Sequence, residues 1–70
     1  MSWQGETPED AGKRYAHVAF QENRHGTFDA GVYFADWVET DEDGAPFEGD
    51  DQARDEFGQA LVDEFLELVL

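Results

Sequence analysis

Residues 36–56 hold ten carboxylates among twenty-one side chains, and Arg54 is the only cation with them. Burying an unpaired ionised carboxylate costs several kcal/mol (order of magnitude) even after relaxation, so no fold of this chain can put that segment inside. The segment is a negative surface, and the core must come from the six Phe, two Trp, two Tyr and the aliphatic residues. It contains no Ser, His, Cys or Lys to act as nucleophile, base or soft metal ligand, so its chemistry is charge itself. No catalytic motif occurs elsewhere, and the chain is read as a non-enzyme.

Seventy residues make a single small acidic domain, 1–70, and a chain this short buries only about 60% of the surface its unfolded form exposes. Self-association or partner binding is expected to supply further burial. Without cysteine there is no disulfide and no thiolate zinc site, and a reducing, cytoplasmic setting follows. No leader-like run opens the chain, and the apolar stretch 57–70 is broken by Asp63, Glu64 and Glu67, so neither export nor membrane spanning is expected. The net charge of -14 excludes ordinary binding to nucleic acid or anionic lipid and calls for a basic partner. The charge is also polarised along the chain. Residues 1–28 carry four acids against Lys13, Arg14 and Arg24, and residues 29–70 carry fourteen against Arg54 alone.

Thr7-Pro8-Glu9-Asp10 is a helix start: Thr caps, Pro suits the first helical position, and acids favour the positive end of the helix dipole. Gly12 limits this helix to a turn or two. Residues 14–21 admit two readings. As a strand, Ala16, Val18 and Phe20 face inward and 22–26 form a turn with Gly26 at positive φ. As a helix over 8–25, Ala11, Tyr15, Ala16, Val18, Ala19 and Phe20 share one arc and Gly26 terminates it. The strand is preferred, because Gly12 weakens the helix and the next segment needs a hairpin partner.

That next segment, 27–40, alternates Phe28, Ala30, Val32 and Phe34 with Asp29, Gly31, Tyr33 and Ala35, the pattern of a half-buried strand. The alternation slips at Asp36, where a bulge or strand end is expected. Residues 41–44 read as a turn and 45–48 as a short edge strand that brings Phe47 near Val38, with Pro46 confining it to the edge. Asp50 or Asp51 then caps a helix reaching Leu70, with Ala53, Phe57, Ala60, Leu61, Val62, Phe65, Leu68 and Val69 on its apolar arc. The expected fold is α+β: a three-stranded antiparallel meander packed against one long C-terminal helix, with a short N-terminal helical turn.

A calcium loop with Gly44 at its sixth position places Glu39, Asp41, Asp43 and Asp50 on ligand positions. Its first residue should be Asp and its last Glu, Pro46 takes the apolar eighth place, and the preceding segment reads as strand, so no metal or other cofactor is expected. His17 and His25 have no companion nucleophile and read as solvated side chains. Carboxylate pairs suited to glycoside hydrolysis could be drawn anywhere in so acidic a chain, so no pair is informative. Tyr15, Tyr33 and Trp37 share the outer face of the expected sheet and form a candidate aromatic interface, and with Leu66 and Leu70 they point to a homodimer.

The candidate partner-binding surface is the acidic one: Asp36, Glu39, Asp41, Glu42, Asp43, Glu48, Asp50, Asp51, Asp55, Glu56, Asp63 and Glu67. Carboxylates at strand or helix spacing imitate a row of backbone phosphates, and nucleic-acid binders gain much of their affinity from Lys and Arg on such rows. In size, acidity and aromatic content the chain resembles the small DNA-mimic inhibitors of phages and mobile elements, the anti-CRISPR and antirestriction proteins. That resemblance implies stoichiometric blocking, without catalysis, of a basic nucleic-acid-binding protein or complex in a host cell, such as a CRISPR surveillance complex. Two other readings stand beside it: a haloarchaeal domain acidic through solvent adaptation, with one Lys against eighteen acids, and an antitoxin-like protein that neutralises a basic toxin.

Overall fold

The hydroxyl of Thr7 accepts a hydrogen bond from the Asp10 amide at 3.1 Å, Pro8 occupies the first helical position, and the helix so started does not stop at Gly12. In the computed structural model, which describes residues 5–22 and 29–70, it runs as α1, Pro8–Glu22. It is followed by α2, Ala30–Thr40, a 3-10 helix at Glu42–Phe47, and α3, Asp51–Val69. Among the described residues there is no strand, so the α+β meander expected from the alternation is replaced by a small bundle of helices. The expected turn at 22–26 with His25 and Gly26, the start of the expected second strand at Thr27 and Phe28, and Trp3 lie outside the described residues, as do the side chains of Glu42 and Asp43.

Each correction has a local cause. In α1 the buried set is Pro8, Ala11, Gly12, Tyr15, Ala16 and Ala19, a helical face of small residues around one tyrosine; Phe20, inward on a strand, is 42% exposed. Gly12 is the reason that α1 and α3 can approach closely. A Cβ built there would run into the carbonyl oxygen of Phe57 and stand 3.0 Å from the Ala60 Cβ. The helix penalty of glycine, about 1 kcal/mol against alanine, is offset by that approach.

In α2 the residues facing the core are Ala30, Tyr33, Phe34, Trp37 and Val38, the 3-4 spacing of a helix running through the same letters that alternate as a strand. The slip at Asp36 was the sign of it, since position 36 falls on the outer side of the helix. Asp29 caps this helix by accepting from the Gly31 amide at 2.9 Å. The expected edge strand at 45–48 gives way to the 3-10 helix, with Pro46 inside it and Gly49 at φ +79° turning the chain into α3. Asp50 caps α3, accepting from the amides of Gln52 and Ala53 at 3.0 and 3.2 Å. Ala53, Phe57, Leu61 and Phe65 form the buried row of that helix.

α1 and α3 run parallel: Gly12 lies by Phe57 and Leu61, His17 by Glu64, and Phe20 by Phe65. α2 returns between their ends and closes the core over Phe57. The Phe57 ring stacks on Trp37 at 5.6 Å, and its neighbours Phe34 and Tyr15 lie at 5.4 and 5.5 Å. Trp37 is sandwiched, with Phe47 of the 3-10 helix stacked at 5.6 Å on its other side. Arg14 ties the outside together, making two bonds to Glu6 at 2.8 and 2.9 Å and one to Asp41 at 3.3 Å while lying over the Tyr15 ring. The Glu6 hydrogen bonds hold its guanidinium well above the usual arginine range.

The two interior glycines separate packing from propensity. Gly12→Ala should lower the unfolding free energy by about 1–2 kcal/mol despite the better helix former, because the new methyl meets α3 backbone and the Ala60 Cβ, neither of which is the end of a flexible side chain. Gly58→Ala should raise it by up to about 1 kcal/mol, since its Cβ would meet only the Ala30 Cβ at 3.7 Å. Urea denaturation of both variants checks this pair of opposite signs.

Candidate functional site

Helical geometry decides which acids come together. On α3, Asp51, Asp55, Gln59, Asp63 and Glu67 recur every fourth residue and all are exposed. At a rise of 1.5 Å per residue they form a row with one step per ~6 Å of axis. Among the clefts beside it, two are rich in acids. One, of about 500 Å³, lies between the start of α1 and the middle of α3 and is lined by Glu9, Asp55, Glu56, Gln59 and Asp63 with Thr7, Pro8 and Ala60. The other, of about 310 Å³, has Phe34, Ala35 and Val38 of α2 as its apolar wall, and Glu39, Glu48, Asp50, Asp51 and Arg54 around them.

Ten of the twelve candidate carboxylates are thus located, and they divide by role. Glu39, Glu48 and Asp51 gather near Arg54, Asp55, Glu56 and Asp63 line the first cleft, and Glu67 ends the row. Asp36, Asp41 and Asp50 have structural work: Asp36 accepts from the Tyr15 hydroxyl at 2.9 Å, Asp41 pairs with Arg14, and Asp50 caps α3. Sequence reasoning missed Glu9, which faces the α3 acids across the first cleft; the signal was available in the helical reading of 8–25, which puts Thr7, Pro8 and Glu9 at the head of a long helix. It also missed the Glu6–Arg14–Asp41 network, in which Asp41 lies 27 residues from Arg14 and no spacing rule links the members.

The candidate aromatic interface does not survive as a surface. Trp37 is fully buried and Tyr15 is 6% exposed within the single chain, and Tyr33 is half-buried against Tyr15 at 5.7 Å. These rings are core: Tyr15 turns inward because 14–21 belongs to α1, and Tyr33 and Trp37 because Ala30–Thr40 is a helix and not a strand. His17 pairs with Glu64 across α1 and α3 at 3.0 Å. The segment before the calcium-like loop is helical after all, yet two of the ligand positions are committed, Asp41 to Arg14 and Asp50 to the α3 amides. No three His, Asp or Glu side chains converge as a metal site among the described residues. No helix among them is long and apolar enough to cross a membrane.

The described chain measures 39 × 18 × 17 Å, a short rod. The chain carries eighteen acids against four Lys and Arg, a net charge of -14. Along 39 Å that is one carboxylate per about 2.2 Å and one net charge per about 2.8 Å. Duplex DNA carries one charge per roughly 1.7 Å of axis. Among the described residues, ion pairs include Glu9 with Lys13, and Glu6 and Asp41 with Arg14, and Glu64 gains one when His17 is protonated; four Lys and Arg cannot neutralise eighteen acids. Compared with known protein families, with curated proteins and with solved structures, the chain matches none.

Two solution properties follow. Self-repulsion among the unpaired acids opposes folding in dilute buffer, so Tm should rise as the Debye length shrinks from about 30 Å at 0.01 M salt to about 8 Å at 0.15 M; a Tm unchanged over that range would contradict the charge density described. Burial, reinforced by the Asp36 carboxylate, raises the Tyr15 phenol above its usual value near 10, and burial with the charge of Glu22 does the same for Tyr33. A raised folded pKa means that the stabilisation is complete below pH ~10 and is lost as pH rises through the folded values. Tyr15→Phe should therefore cost about 1 kcal/mol at pH 7, the worth of a charge-assisted bond discounted for the exposure of Asp36. Denaturation curves of both proteins at pH 7 and pH 11 should show that cost shrinking at the higher pH.

Proposed function

We propose that this protein is an acidic decoy for nucleic acid: it occupies the basic nucleic-acid-binding site of another protein or complex and excludes the true ligand, in the manner of DNA-mimic inhibitors of host defence systems. The observation that carries the reading is the linear charge density, one net negative charge per about 2.8 Å of a narrow rod, of the same order as the duplex it would replace. The α3 row and the acids of the two clefts are the proposed contact surface, with Glu9 added to the set. Such a protein works by occupancy, without turnover, in the cytoplasm of the cell that holds the target. Its affinity comes from Lys and Arg of the target exchanging their nucleic-acid contacts for carboxylates.

One observation favours a second reading, solvent adaptation to molar salt: acids stand on every helix, α1 included, where Glu9, Asp10 and Glu22 are exposed, and Lys13 is the only lysine. A salt-adapted domain would lose its helical circular dichroism at 0.1 M salt, whereas a decoy must be folded there.

The test is displacement of labelled duplex from CRISPR and restriction complexes of the host, followed by fluorescence anisotropy. Displacement should weaken with salt, and Asp55→Asn, Glu56→Gln, Asp63→Asn and Glu67→Gln combined should reduce the slope of log affinity against log salt by roughly 3–4, about one for each carboxylate neutralised. Glu39→Gln, Glu48→Gln and Asp51→Asn test the second cleft, and they leave the cap Asp50 and the Arg14 partner Asp41 in place. A complex that binds this protein and DNA together, or an affinity indifferent to both sets, would rule the decoy out.

A further inference from the structure

Among the described residues six large apolar side chains are exposed, and five of them, Phe20, Val62, Leu66, Val69 and Leu70, lie toward the C-terminal ends of α1 and α3; Val32 of α2 is the sixth. Val62, Leu66, Val69 and Leu70 recur at 4, 7 and 8 residues and so share one face of α3. Phe20 of α1 joins them through Phe65, which it meets edge-on at 6.3 Å. The face continues a row that α2 covers only in its first half. Arg54 lies beside Gly31, Ala30 packs over Gly58, and the same row then runs on as Val62, Leu66 and Leu70 at 39%, 50% and 100% exposure.

We propose that this face is the contact of a symmetric homodimer, in which α3 packs antiparallel against α3 of a second copy. The row is self-complementary. A two-fold axis at Leu66 sets Leu66 against Leu66 and Val62 against Leu70, because the spacing is four residues on either side, and antiparallel packing sets the two helix dipoles head to tail. The size is adequate. At roughly 150–200 Å² for a fully exposed large side chain, the five residues offer on the order of 450 Å² of apolar surface, and a standard interface of about 800 Å² per partner at about 57% apolar needs the same amount. Asp63 and Glu67 border the row on one side, which disfavours an anionic membrane as the occupant.

The two-fold axis also fixes where the charge goes. A rotation about an axis perpendicular to both helices keeps each flank on its own side, so the acidic rows of the two copies fall on the same side of the dimer. Two consequences follow: the acidic surface becomes continuous across the pair, and like charges face one another across the seam. The dimer is therefore strengthened by salt, the opposite of the decoy contact, and the two ideas fail separately.

Sedimentation of the full chain between about 5 and 500 µM reads the association. The expected result is a monomer–dimer equilibrium whose Kd falls roughly tenfold from 0.05 to 0.5 M NaCl as screening increases. Leu66→Gln should weaken it at least tenfold with helical content unchanged, and Val32→Gln should leave it as it was. Because the chain has no cysteine, Leu66→Cys adds a single thiol. Helices 8–10 Å apart with Cα atoms about 2.3 Å off axis bring the two Cα atoms at the axis within disulfide reach, so mild oxidation should link the copies, and Val32→Cys should not. A monomer throughout at 0.5 M NaCl, equal cross-linking of the two cysteine variants, or a dimer that salt dissolves would overturn the proposal.

Discussion

Everything in this fold is hung on the place where α1 meets α3 without a side chain between them. At Gly12 the backbone of one helix lies directly on the carbonyl of Phe57 and the methyl of Ala60 in the other, and Ala11, Ala16 and Ala19 keep the two helices close along the contact. Dispersion contacts fall off steeply with distance, so small residues here do more than large ones could. With that contact made, Phe57 is held rigidly enough for α2 to fold over it, and Tyr15, Phe34 and Trp37 close around a single ring. A chain of seventy residues cannot build a large core, and this one concentrates its aromatic area at one point.

The second consequence is electrostatic. None of the described buried residues is polar or charged, so the core makes no use of the acids. Among the described residues, acids with structural roles include the caps Asp29 and Asp50, the Tyr15 acceptor Asp36, the Gln59 acceptor Asp63, and the partners of Lys13, Arg14 and His17. Carboxylates crowded on so small a surface repel one another. The proposed decoy reading gives that surface a cationic partner, and the narrowness of the rod supports it.

How far the sequence revealed this varies by element. The last helix was legible because its apolar row, its Asp50 cap and its length all agree. The first was legible as one of two readings and set aside on account of Gly12, whose value lies in a contact with residue 57 that no local rule sees. The second was misread because Phe28, Ala30, Val32 and Phe34 alternate while Ala30, Tyr33, Phe34, Trp37 and Val38 also keep helical spacing; over so short a segment the two periods overlap, and tertiary packing against Phe57 decides. The two strand readings together put Tyr15 and Trp37 on an outer face, and the helices that replace them put both in the core. The acidic α3 row survived those readings because it depends on a helix read correctly, whereas Glu9 was missed because its helix was cut short.

Native-state hydrogen exchange tests the central claim that the α1–α3 contact carries the fold. Amides of Ala16 and Ala19 in α1 and of Leu61 and Phe65 in α3 should be the slowest to exchange and should share one opening free energy equal to that of global unfolding, with α2 and the 3-10 helix opening at lower cost. If the slowest amides lie in α2, or if α1 exchanges independently while α3 stays protected, the Gly12 contact is not what the structure depends on.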